Sequence, residues 1–409
     1  MQPDRRARLD LVDALRALAL FGILQINIQS FAWGAGDPLG FFARPPTAAD
    51  TVAYLLAGTF VQTKFISLFA FLFGFGLAMQ FRSLQRAEWH AGLTGAEAVR
   101  AARSVYRRRL WFLLGLGVAH GVLLYYGDIL TTYAIVGFIV VLYAGTRPAR
   151  LARATRNWWI GFAVVTTVLL GGGMLALSVF PPENDPTAIG PELLAARDTY
   201  LNAGYLGQLA QRAQDYIGVQ VGALMLGLPM VVALFLLGAL AARLGWLRHP
   251  ERFPRAWRAA RWIGAAGLAA GFIGAWLNYN NMLRTPGAAN LLAYLFIVAS
   301  GVAFMLYVSL IVRWRHAQPM AALITWLAPA GRMPLTNYLS QSVLMGVLLS
   351  GWGFGLGDRF GHAGLALLAL TIVFVQVIAS RWWMATFKVG PAEAVWRRVT
   401  YGGEQDFRA

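Results

Sequence analysis

The chain has 409 residues, 58% of them hydrophobic and only 13% charged, with no cysteine and a mean hydropathy of +0.55. This excludes an ordinary soluble globular domain, and it excludes disulfides, thiol nucleophiles and thiolate metal sites. The net charge of +17 is not a nucleic-acid signal, because the arginines sit in the connections between apolar runs rather than on one patch.

Runs of about 20 apolar residues recur along the whole length, which predicts an all-α, polytopic membrane bundle. Ten spans are expected, at 13–33, 56–80, 109–126, 129–145, 157–180, 217–243, 261–280, 289–312, 333–351 and 362–384. The second is expected to begin as a separate outer piece, Thr51–Gln62. Arg5, Arg6 and Arg8 before the first run resemble a signal peptide, but Arg16, Gln25, Asn27 and Gln29 within it favour an uncleaved span. The connections on one side of the expected spans carry 28 Lys and Arg, and those on the other side carry 5. The positive-inside rule therefore predicts that both termini are cytoplasmic. The loop 181–216 is acidic and reads as a small external cap on a single integral domain, 1–409. The five histidines are scattered without HxxxH or HExxH spacing, so no metal site is expected.

In the first span, Asp13 and Arg16 are spaced i,i+3 and can pair on one helix face. Asn27 lies deeper, as interhelical glue or as a group that contacts substrate. In the second, Lys64 is placed toward the outer surface, where it either snorkels or meets an anionic group. In the third, "RRRLWFLLGLGVAHGVLLYYGD", ten residues separate Arg109 from His120. Eleven helical steps end about 20° past three full turns, so the two side chains share a face, about 16 Å apart along the axis. That pair suits a thioester carried on coenzyme A. An arginine holds phosphate, a thin arm reaches inward, and an imidazole takes a proton or the acyl group itself. The plainer reading is a histidine bonded to a neighbouring helix. Asp128 would lie about 12 Å and 80° from His120 on one straight helix. A direct bond is then not expected, and capping of the next helix is preferred over a role in acceptor binding. Near the C-terminus, "GRMPLTNYLSQS" sets Arg332 at the rim, with Asn337 and Gln341 on one face of the helix that follows.

"DALRALALFGILQINI", "KFISLFAFLFGFGLAM", "GLGVAHGVLLYYGDIL" and "GRMPLTNYLSQS", in that order, resemble the YeiB-like family, domain of unknown function 418, over nearly the whole chain. One departure is Arg16-Ala17, where the family often has Arg-Gly. The family is similar to transmembrane acyltransferases, including the acyltransferase-three family and heparan-alpha-glucosaminide N-acetyltransferase. These share a basic residue, ten intervening residues and a catalytic histidine, a spacing matched by Arg109 and His120. The resemblance implies a bacterial inner-membrane enzyme that moves an acyl group, acetyl above all, from cytoplasmic acyl-CoA to an acceptor at the membrane or outer side. His120 would be base or acyl carrier, with Asn27 and Lys64 as further candidates in the chemistry. Arg109, Arg332 and Asn337 would hold the donor, and Asp128 and Gln341 would contact the acceptor. Acyl-CoA and membrane lipid are the expected partners, the acceptor is unnamed, no nucleic acid is expected, and a homodimer stays open. The rival is a transporter or exporter, suggested by Gly171–Gly173 and Pro229 in mid-span. A third reading is a structural or sensory membrane protein.

Overall fold

The computed structural model describes residues 3–34, 47–179, 191–282 and 288–401, and among them no β-strand occurs. The helices are, in order, α1 (Pro3–Trp33), α2 (Ala48–Phe60), α3 (Lys64–His90), α4 (Gly95–Leu123), α5 (Leu130–Val140), α6 (Pro148–Val179), α7 (Pro191–Asn202) and α8 (Tyr205–Gly222). They continue with α9 (Leu228–Leu244), α10 (Pro254–Met282), α11 (Ala288–Ala299), α12 (Phe304–Trp314), α13 (Gln318–Arg332), α14 (Pro334–Leu349), α15 (His362–Thr386) and α16 (Pro391–Tyr401).

Among the described residues, seven helical segments are long and apolar enough to cross a bilayer: Asp10–Trp33, Ala48–His90, Pro148–Ala176, Tyr205–Leu244, Pro254–Asn280, Leu291–Trp314 and His362–Thr386. The chain is a multi-pass membrane protein. The other three expected spans are α4, whose first half is rich in arginine, α5, which has 11 residues and a short 3-10 extension, and α14, which has 16 residues. These three helices carry the site.

α1 runs through the middle of the bundle, with Leu15, Ala17, Ala19, Leu20 and Leu24 fully buried. It packs on α13, α14 and α15, which ties the two ends of the chain together. Lipid tails are as apolar as leucine, so close packing holds such helices together, and small residues set how near they come. A Cβ on Gly74 of α3 would sit 2.0 Å from the Phe235 carbonyl oxygen of α9, so this crossing, the most extensive in the bundle, requires glycine. α6 and α10 lie at the periphery and turn Val164, Val168, Leu175, Trp262 and Phe272 outward, as lipid-facing surfaces do.

Thr51–Gln62 is indeed a separate piece. α2 ends at Phe60, and Thr63, with a left-handed φ of 66°, turns the chain into α3. Of the expected external cap, 181–190 lies outside the described residues, and the remainder forms α7 and the first half of α8. α8 then runs through a π turn at Ala223–Gly227 into α9, so this helical segment begins at Tyr205 rather than near 217.

Candidate functional site

α4 stops three residues after His120. The backbone N–H groups of Leu124 and Tyr125 both donate to the His120 carbonyl, each at 2.9 Å, and the chain reverses before α5. The reversal returns Asp128 over the last turns of α4. Gly117 makes room for it, since a Cβ there would lie 2.5 Å from the Thr131 nitrogen and 3.0 Å from Asp128 Oδ2. Asp128 Oδ1 then lies 2.8 Å from His120 Nδ1. This corrects the expectation from helical geometry that the two would not bond. The straight-helix estimate assumed that α4 continues to 128, and it does not. The expected capping role holds as well, because the Thr131 N–H donates to Asp128 Oδ2 at 2.8 Å.

The other imidazole nitrogen, Nε2, is 2.9 Å from Ser342 Oγ on α14. A carboxylate only accepts, so it favours the ring proton on Nδ1, and in the neutral imidazole Nε2 then accepts from the Ser342 hydroxyl. Asp128, His120 and Ser342 are all buried, at 2% exposure each. The turn that builds this array is braced from α8. Gln220 Nε2 donates to the Asp128 carbonyl at 2.7 Å, Arg212 donates to the Leu123 carbonyl at 2.7 Å, and the Tyr216 and Thr131 hydroxyls lie 2.8 Å apart.

Beside the array, toward the arginine-rich end of α4, lies a cavity of about 210 Å3. Arg16, Arg109, Arg332 and Arg397 line it, and Leu113, Leu130 and Tyr338 form part of its wall. Tyr338 is also next to the array, its ring centroid 4.9 Å from that of His120. Arg109 is buried, with its guanidinium over the Trp396 ring at 4.3 Å and near Tyr106 at 5.7 Å. Arg16 pairs with Asp13 at 2.7 Å, the contact expected from their spacing, and Arg332 is exposed.

α16 completes this end of the cavity with Glu393, Trp396 and Arg397. Glu393 Oε1 accepts from the backbone N–H groups of Leu335 and Thr336 at 2.6 and 3.2 Å, and Oε2 accepts from the Thr336 hydroxyl at 2.6 Å. The N–H groups at the start of α14 thus have a carboxylate partner from another helix. Burial raises the Glu393 carboxyl above the usual carboxylate range, and the bond from Thr336 and the backbone N–H groups offset only part of that rise.

The structure therefore joins His120 with Asp128 and sets Arg109 and Arg332 on one cavity. It places the remaining candidates elsewhere. Asn337 donates to the Ala330 carbonyl at 3.0 Å and to Ser380 at 3.1 Å, and Gln341 donates to Gln376 at 2.8 Å, in a buried network linking α13, α14 and α15. Lys64 does not snorkel. It is fully buried, and its Nζ donates to the Gly58 carbonyl at 2.6 Å, near the C-terminus of α2. Asn27 is half-buried on α1 and is not in the cavity wall. Gly171–Gly173 lie within uninterrupted α6, and Pro229 opens α9; neither lines the arginine cavity. Among the described residues no group of His, Asp and Glu is placed to hold a metal ion.

Sequence reasoning missed Ser342, Tyr338 and the α16 side chains. Tyr338 and Ser342 are spaced i,i+4, and Glu393, Trp396 and Arg397 are spaced i, i+3, i+4, so each set falls on one helix face.

Residues 241–403 match the model of a family described as "Protein of unknown function (DUF418)". Over 413 residues the chain is 31% identical to the uncharacterized protein YxaH of Bacillus subtilis (strain 168), covering 96% of this chain and 94% of that one. It is 27% identical over 399 residues to the uncharacterized protein YeiB of Escherichia coli (strain K12), covering 95% of each. It is also 26% identical over 394 residues to an uncharacterized 39.9 kDa protein in the amylase 3' region of Bacillus acidopullulyticus, covering 96% of this chain and 94% of that one.

Proposed function

The chain belongs to the YeiB-like DUF418 family, and we propose that it is an acyl-CoA-dependent acyltransferase of the bacterial cytoplasmic membrane. In this reading the arginine-rich end of the bundle faces the cytoplasm. Coenzyme A enters the cavity there, with its phosphates on Arg109, Arg332, Arg16 and Arg397. The acyl group, acetyl in the simplest case, moves to an acceptor at the membrane or outer side. The observation that carries the reading is the Asp128–His120–Ser342 array behind the wall of an arginine-lined cavity.

Each part answers a requirement of the chemistry. The arginines neutralise the donor's polyanionic head. Asp128 holds the imidazole tautomer whose Nε2 can accept a proton, which is what a general base needs. The low-dielectric surroundings keep competing water out. Tyr338 touches both the cavity and His120, so its ring must turn aside for a thioester to reach Nε2.

The test is CoA binding to the purified protein in lipid nanodiscs, titrated at rising salt. Arg109→Ala should weaken binding by about tenfold or more, the loss expected of a charge-assisted phosphate contact. Lys64→Ala should leave affinity unchanged, because Lys64 is not in the cavity wall. Absence of CoA binding in the wild type would overturn the reading and turn attention to transport.

A further inference from the structure

Ser342 does not satisfy its hydroxyl within its own helix. Thr155, Thr325 and Thr371 each close onto the carbonyl four residues back, the usual way for a hydroxyl on a helix to satisfy itself. Ser340, two residues away, bonds to the Asn337 carbonyl. Ser342 instead reaches across to α4 and meets His120 Nε2 at 2.9 Å, while Asp128 holds Nδ1 at 2.8 Å. A nucleophile bonded to a base, with the base oriented by a third group, is the arrangement that activates a serine hydroxyl. A histidine acting only on an external acceptor would present Nε2 to open space. Here a hydroxyl of the chain itself occupies that position.

We propose that Ser342 is the nucleophile that carries the acyl group between donor and acceptor. The proposal rests on the acyl-CoA reading and adds a covalent step to it. Ser342 Oγ bonds to the thioester carbonyl carbon as its proton passes to His120 Nε2. The carbon–sulfur bond breaks, and the CoA sulfur leaves with that proton as a free thiol. In the second half, an acceptor hydroxyl or amine gives its proton to Nε2 and bonds to the same carbon. The ester bond to Oγ breaks, and Ser342 takes the proton back. Nothing is oxidised or reduced, and donor and acceptor are the only reactants.

The covalent step has a consequence for a protein in a bilayer. Donor and acceptor need not occupy the site together. One can leave through the arginine cavity before the other arrives from the membrane or the far side.

The experiment is acetyl-CoA added, without acceptor, to the protein in nanodiscs, with CoA affinity measured in parallel. The chain has no cysteine, so every thiol that appears is CoA. The wild type should release a burst of about one thiol per chain, and peptide mass spectrometry should place the acetyl group on Ser342. Ser342→Ala should bind CoA yet give neither burst nor adduct. Ser342→Cys, read by mass alone, should carry the adduct as a thioester, which shows that the α14 position itself tolerates change. A wild type that binds CoA and forms no adduct would overturn the covalent step and leave the transferase reading in place. The same holds if Ser342→Ala keeps the burst and the acetyl group is found on His120, labile to neutral hydroxylamine. A wild type that does not bind CoA would remove both.

Discussion

Asp128 meets hydrogen-bond donors at both oxygens, the imidazole on one and the start of α5 on the other, so it fixes a ring and a helix at once. Asp128→Asn would keep the shape but offer Nδ1 an amide donor, and the ring could then place its proton on Nε2. We expect the thiol-release rate to fall by about 10²- to 10⁴-fold, the usual worth of a general base, with CoA affinity unchanged. Wild-type rates in this variant would reduce Asp128 to a helix cap. Lys64 offers the contrast. Its side chain is fully buried, with Nζ bonded to the Gly58 carbonyl, so Lys64→Ala should lower thermal stability by about 1–3 kcal/mol, the cost of a stranded buried acceptor, with no change in thiol release. Lost thiol release at unchanged melting temperature would return Lys64 to the chemistry. The shared face of Arg109 and His120 was legible because both lie on one uninterrupted helix. The bond from His120 to Asp128 was not, because it depends on where α4 stops, and the shared use of the His120 carbonyl by Leu124 and Tyr125 that ends it is invisible in residue type. Ser342 was hidden for a different reason. Its partner lies 222 positions away, and no local pattern reports a contact of that range.

Among the elements, α16 does the most that its sequence conceals. Read as a basic tail, it serves only topology. Folded, it caps α14 through Glu393, bonds the Arg109 carbonyl through the Trp396 indole at 3.3 Å, and walls the cavity. Its docking should respond to pH. Burial holds the folded Glu393 carboxyl above its unfolded value, so proton uptake favours the docked state. That contribution is fully present below the ordinary glutamate range and is lost as pH rises through the raised folded value. Thermal unfolding of the wild type should show this slope, and Glu393→Gln, which cannot titrate, should flatten it. An unchanged slope in the variant would place the titration elsewhere. α5 is shorter than its expected span because the apolar residues Val141–Tyr143 continue past its end as a 3-10 turn. Composition does not distinguish such a turn from another turn of α-helix.

Over the whole molecule, the bundle class follows from hydropathy, because in a bilayer the backbone must satisfy itself within helices. Orientation rests on charge alone. The case is the split of 28 basic residues against 5, and three of the four cavity arginines, Arg109, Arg332 and Arg397, are among the 28. A CoA donor exists in the cytoplasm, so the acyltransferase reading and the charge rule demand the same orientation. Reporter fusions test both together. A cytoplasm-active reporter at Ala96, between α3 and the arginines of α4, should be active, and one at Gly204, between α7 and α8, should be silent, with an export-active reporter giving the reverse. If both sites reported the same side, the odd number of crossings expected between them would be wrong. If the two were exchanged, the arginine cavity would open away from any CoA, and the donor assignment would fall even with every distance around His120 intact.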